Sequence, residues 1–163
     1  MVQITIEYMI MIPILILQIF LFPLTAGWIM TTWTDSRQTL AMQEVSSHLG
    51  SSIQQVYSAL NHNSISEGTV RNRLEIPPFI EGHAYRGSAS LRTTVDPELN
   101  SSKILDLSLK FMGGSIEAST SVTLGSNAEW EATTEFMSNS TYASLVAEKM
   151  SNGTILMYFE GVD

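Results

Sequence analysis

The 163-residue chain carries sixteen acidic and eight basic side chains, a formal net charge of −8, and no cysteine. The cations are scattered from Arg37 to Lys149, whereas phosphate recognition needs them clustered, so no nucleic-acid partner is expected. The lack of cysteine excludes disulfides, thiolate zinc sites and thiol nucleophiles, and leaves the compartment open.

Hydropathy is unevenly divided. The first 34 residues are strongly apolar and the remainder is polar and rich in Ser and Thr. After Glu7 no charged residue occurs until Asp35. A membrane-spanning helix needs about 20 apolar residues, and residues 8–34 exceed that. A cleavable secretory signal would place basic residues before a run of about 7–15 apolar ones and end it at a small-residue site. Here no Lys or Arg precedes the run, the run is longer, and only Leu24-Thr25-Ala26 offers such a site. A plain single-pass anchor would carry cytoplasmic basic residues, and none precedes Arg37. Trp28 and Trp33 close the run, as an interfacial belt in a bilayer or as apolar packing in a bundle. Pro13 and Pro23 each remove a backbone donor and crowd the preceding turn, so a kink is expected at each. Local unwinding is expected at Pro23 with Gly27.

Past Trp33 the chain turns polar with no helix breaker before Gly50, which costs some helix stability without ending the helix. Val45, Leu49, Ile53, Val56 and Leu60 recur at steps of four and three, one stripe on a helix. Ser46, Ser47, Gln54, Gln55 and Ser58 fall off that stripe. The spacing predicts one helix from about Ile4 to Leu60, stopped by Asn61-His62-Asn63-Ser64. Residues 4–34 form its apolar half and 35–60 its amphipathic half, so residues 1–62 make the first domain.

Residues 63–163 make the second. From Thr69 the period becomes two. Leu105, Leu107, Leu109 and Phe111 alternate with polar residues, as do Ile116, Ala118, Val122 and Leu124, and then Trp130, Ala132 and Phe136. Such patterns are half-buried antiparallel strands. Gly113-Gly114 reads as a tight hairpin turn, and Asn152-Gly153 as a type I′ turn before Thr154–Phe159. Val70–Ile76, Ala89–Val95 and Tyr142–Lys149 are further strands. About seven strands predict a sandwich-like head, one face of which would cover the Val45–Leu60 stripe. The fold class expected is α+β, a long N-terminal helix packed on an antiparallel β-head.

This plan, with Gln3-x-Thr5-x-Glu7 ahead of the apolar run, resembles the archaeal type IV pilins with class III signal peptides. Members begin Gln-x-Ser/Thr-x-Glu after a peptidase removes a short basic leader, and the resemblance covers the plan of the whole chain. One departure is plain: only Met1-Val2 precede Gln3, without a positive charge. A chain already trimmed, a start set too late, or a retained Met1 would each give this. The resemblance implies identical subunits in a helical homopolymer, inserted in the cytoplasmic membrane before assembly and forming an extracellular cell-surface filament afterwards. Gln3, Thr5 and Glu7 would serve subunit assembly. A carboxylate in hydrocarbon costs about 2.5–3.5 kcal/mol or more unless paired. In a bundle Glu7 would meet a neighbour's amino terminus or polar backbone, favouring assembly and setting register. The other reading puts Glu7 at the membrane–water interface, where it favours the first helical turn through the dipole.

Three sequons, at Asn100, Asn139 and Asn152, fall in predicted loops and are candidate N-glycosylation sites, making glycans covalent partners. Asn152 also has a turn-forming role to account for it. Nothing points to catalysis, a metal or a cofactor. His48, His62 and His83 are isolated, no Gly-x-Ser-x-Gly occurs, and Asp96-Pro97-Glu98 reads as a turn. The function expected is therefore a structural, non-enzymatic filament subunit with adhesive heads. The alternative is a membrane-anchored β-domain or minor pilin of a surface or secretion complex.

Overall fold

A computed structural model describes the backbone of residues 2–93, 102–132 and 134–161. It has the expected α+β architecture. One helix, α1 (Val2–Leu60), is followed by eight strands: β1 (Gly68–Arg73), β2 (Tyr85–Thr93), β3 (Lys103–Phe111), β4 (Glu117–Leu124), β5 (Ala128–Trp130), β6 (Glu135–Met137), β7 (Ser144–Lys149) and β8 (Ile155–Glu160). They form two four-stranded sheets, ordered β1-β7-β8-β5 and β4-β3-β2-β6. The chain divides into two compact units, Met1–Arg37 and Gln38–Asp163.

The second unit is built by period-two burial. Along β3, Leu105, Leu107, Leu109 and Phe111 are buried and alternate with more exposed residues. Along β8, Ile155, Met157 and Phe159 do the same. Each fully buried side chain of this size contributes about 1.5–3 kcal/mol. Phe136 and Trp130 both meet Phe159 edge to face, with ring centroids 4.8 and 4.9 Å apart, the arrangement aromatic quadrupoles prefer. Gly87 pairs with Phe136 across the β2–β6 ladder, and the Phe136 ring fills the place a Gly87 side chain would take.

Three expectations need correction. The alternating run Trp130–Phe136 is not one strand. It forms β5 up to Trp130 and β6 from Glu135, and these two belong to different sheets. Thr134 Oγ1 donates to the Glu131 carbonyl and accepts from Phe159 N–H, which pins a corner in the middle of the pattern. The sheets are also not wholly antiparallel, because β5 runs parallel to β8. Finally, the Asn152-Gly153 hairpin is present but is not type I′. Only Gly153 has positive φ (85°), while Asn152 Oδ1 accepts the Thr154 N–H. Two successive positive-φ residues, as type I′ needs, occur instead at Glu81 (48°) and Gly82 (83°), between the bridged Ile80 and His83.

The amphipathic half of α1 joins this core. Leu49, Ile53, Val56 and Leu60 are buried, and Val45 packs at the margin. The buried face is wider than the stripe, since Met42, Ser46 and Tyr57 are also buried. Gly50, far from being only a helix liability, is the point of closest approach. A β-carbon there would lie 2.9 Å from Val122 Cγ2 and 3.3 Å from Thr120 Cγ2 of β4. Polar clamps flank the contact. Asn72 Nδ2 donates to Ser52 Oγ (3.2 Å), and Tyr57 OH donates to Asn127 Oδ1 (2.6 Å). The helix therefore touches β1 and β4, an edge strand of each sheet. Gly50→Val should lower unfolding stability by about 2 kcal/mol through overpacking, read as the denaturant midpoint of the full chain in detergent. Gly27→Ala, with nothing within 4 Å, should not lower it.

Tyr85 is fully buried and donates to the Pro77 carbonyl at 2.7 Å. Burial pushes its phenol well above the ordinary value near 10. Because the folded value is the higher one, the contribution is complete below pH 10 and is lost as pH rises beyond it, as the unfolded phenol ionises first. Stability should fall by up to about 1.4 kcal/mol per pH unit above 10. Denaturant titrations from pH 8 upward, compared with Tyr85→Phe, would show the slope vanish in the variant.

Candidate functional site

The Met1–Arg37 unit contains the most unusual surface of the molecule. From Met9 to Trp33 every large apolar side chain on the helix is at least half exposed. Apolar residues occupy all sides of the helix, so no single stripe exists that one partner could cover. The segment supplies the one helix among the described residues that is long and apolar enough to cross a membrane.

Helical hydrogen bonding continues through Pro13, Pro23 and Gly27, so the unwinding expected at Pro23 and Gly27 is not found. A proline deprives the helix of one donor per site. Thr25 Oγ1 donates to both the Leu21 and Phe22 carbonyls at 3.0 Å. Thr31, Thr32 and Thr34 bond back to carbonyls one turn earlier in the same way. Hydroxyls satisfied within the helix add no polar cost where the surroundings are apolar. At the end of the unit the Arg37 guanidinium sits 4.8 Å from the Trp33 ring centroid, so the first cation of the chain is held against the last large aromatic of the run.

Gln3, Thr5 and Glu7 lie in the first turns of α1, and their side chains fall outside the described residues. The packing residues Val45, Leu49, Ile53, Val56 and Leu60 are brought together with the sheets, as described above. Met42 and Tyr57 join this buried face beyond the stripe, as do Ser46, expected off it, and Gly50, expected only to cost helix stability. Their positions at i, i+4, i+8 and i+15 could have found them, had small residues been allowed on a buried face. Asn139 and Asn152 are exposed in turns, while Asn100 lies outside the described residues. The histidines serve local structure. His62 Nδ1 bonds Ser64 Oγ at 2.7 Å, and His83 packs on Phe111. Among the described residues no three His, Asp or Glu side chains gather as a metal site would require. A polar groove of about 210 Å³ runs between α1 and β1, lined by His48, Ser52, Gln55, Asn72 and Glu75. Ser52 and Asn72 in its lining form one of the clamps that fasten the helix, and Arg73 borders the groove as well.

The chemistry on offer at the first unit is association through apolar contact. Ile16→Lys would place a charge in mid-run at a cost of about 2.5–3.5 kcal/mol. The variant should move from the membrane fraction to the soluble or degraded pool, as fractionation of expressing cells would show. No protein-family model matches the chain, and no curated protein and no solved structure matches it either.

Proposed function

We propose that the chain is a structural subunit of an archaeal type IV pilus-like filament. The supporting observation is the helix from Met9 to Trp33, uninterrupted and apolar on every side, with no cover within its own chain. Before assembly, lipid would surround it. In the filament, helices of identical subunits would replace lipid, keeping burial while adding close-packed dispersion contacts. The β-rich unit would then face the environment, with adhesion as its role. A repeated contact that does not close on itself generates an open helical polymer, which is how one chain type makes a filament.

The Gln3-x-Thr5-x-Glu7 start gives this reading its specificity. Glu7 is the one charge in the early part of a segment destined for apolar surroundings. Its carboxylate would be stabilised by polar groups of a neighbouring subunit and would be costly for an isolated subunit in lipid. Glu7→Gln removes the charge and keeps the shape. The substitution should cut the yield of filaments sheared from cells by at least about tenfold, if the neighbour's contact offsets roughly 1.4 kcal/mol or more of burial cost. Electron microscopy of the sheared fraction is the measurement. Wild-type filaments of nearly one polypeptide with Glu7→Gln unaffected would remove the pairing role, while a wild type recovered only as a detergent-soluble monomer would remove the filament.

A further inference from the structure

The β1-β7-β8-β5 sheet has one inward face, carrying Leu145, Ala147, Ile155, Met157 and Phe159, all buried. Its outer face carries the alternate residues, with arginines on one edge strand, Glu148 and Glu160 on the inner strands β7 and β8, and a carboxylate on the other edge strand. On β1 the outward residues are Arg71 and Arg73, which pair in register with Val146 and Ser144 of β7. On β5, the opposite edge, the outward residue is Glu129, in register with Leu156 of β8. Glu131 continues that edge, its N–H bonded to the Met157 carbonyl.

The cationic edge borders a basin of about 580 Å³ lined by Arg71, Arg73, Thr141, Tyr142, Ser144 and Glu160. Within it Arg71 pairs with Glu160 at 2.9 Å, and Ser144 Oγ donates to the same carboxylate. That leaves Arg73, which pairs with no side chain among the described residues, as the uncompensated charge of the basin. Tyr142 stands beside it, 73% exposed. At the other edge Glu129 and Glu131 are exposed and have no cationic partner among the described residues. A chain with twice as many acids as bases thus keeps a free arginine in a basin at one edge and two free carboxylates at the other.

We propose that this basin receives the Glu129–Glu131 edge of a second copy of the chain, so that the β-rich units of adjacent subunits touch through opposite charges. The inference rests on the filament reading and adds to it a contact between the β-rich units. The two surfaces lie on opposite edges of one sheet, so each copy can use both at once, and the contact is heterologous and propagates instead of closing. Complementary charge also suppresses wrong registers, because two β1 edges or two β5 edges would bring like charges together. An exposed pair contributes little on its own, but along a polymer the same contact recurs at every subunit.

The test compares filaments sheared from cells expressing wild type, R73E, the double variant E129R/E131R, and all three substitutions together. R73E and E129R/E131R should each lower yield about fivefold at low salt, and their combination should restore it to within about twofold. Salt at about 0.5 M should weaken wild-type filaments toward the single-edge variants, since exposed charges are then largely screened. R73Q serves as the milder variant should R73E melt early, thermal melting of the full chain in detergent being the folding control. Wild-type filaments with R73E and R73Q at full yield, or losses that the combination does not restore, overturn the contact and leave the filament standing. A wild type without filaments overturns both.

Discussion

Apolar surface that its own chain cannot cover governs this molecule. The side chains from Met9 to Trp33 stand exposed on all sides of a helix, and at about 1.5–3 kcal/mol for each large one the cost of leaving them in water reaches tens of kcal/mol. No folded domain holds such a reserve, since net stabilities lie near 5–15 kcal/mol. Apolar surroundings therefore suit the segment, and it is long and apolar enough to cross a membrane. Its internal chemistry fits that demand. The threonine hydroxyls bond to carbonyls of the same helix, so those hydroxyls need no partner outside it.

The same helix then changes character within a few residues. After Arg37 it becomes a component of a conventional core, with Met42, Leu49, Ile53 and Leu60 nearly inaccessible. Two constraints meet at Gly50. Helix propensity disfavours glycine by about 1 kcal/mol, yet the sheet leaves no space for a β-carbon against Val122. Packing outweighs propensity there, because overpacking costs about 1–3 kcal/mol and the wider contact depends on the close approach. Ser46, one turn earlier, is also fully buried. Its hydroxyl bonds back to the Gln43 carbonyl, which removes the penalty of burying it.

How much of this the sequence carries depends on the range of the interaction concerned. Helix limits, the turn at Asn61–Ser64 and the alternating strands follow from local periodicity, and local periodicity is written in consecutive residues. The stripe Val45–Leu60 was legible for that reason, whereas Ser46 and Gly50 were not. Their burial is decided by β4, some seventy residues away, and a small polar residue carries no hydrophobic signal of its own. The change of sheet between Trp130 and Glu135 was hidden by its own pattern, since Glu129, Glu131 and Glu135 keep the alternation going across it. The pairings of β5 with β8 and of β6 with β2, made with distant segments, show it. The Asn152 turn failed by a subtler route. Asn-Gly supplies two residues tolerant of positive φ, but the Asn152 side chain caps Thr154 and holds its own backbone in the ordinary region. For the assembly motif the limit lies elsewhere. Gln3, Thr5 and Glu7 are legible as a motif, and the groups that would answer Glu7 belong to another copy of the chain.

The charge on the β-rich unit follows a logic that an average cannot express. Sixteen acids against eight bases describe a chain that repels its own copies. Most of the placed arginines are spent internally, Arg71 on Glu160, Arg86 on Glu135 and Arg92 on Asp106. The last of these pairs, with the Ser121 hydroxyl also donating, holds the Asp106 carboxyl below its usual range. A cation left unspent in such a background is therefore more informative than one among many, because the surrounding acids would neutralise it wherever geometry allowed. Arg73 pairs with no carboxylate among the described residues, and Glu160, in the same basin, is already shared by Arg71 and Ser144. Under the proposed filament, the protein would separate two kinds of association physically: non-directional burial for the helix, and directional charge for the β-rich units.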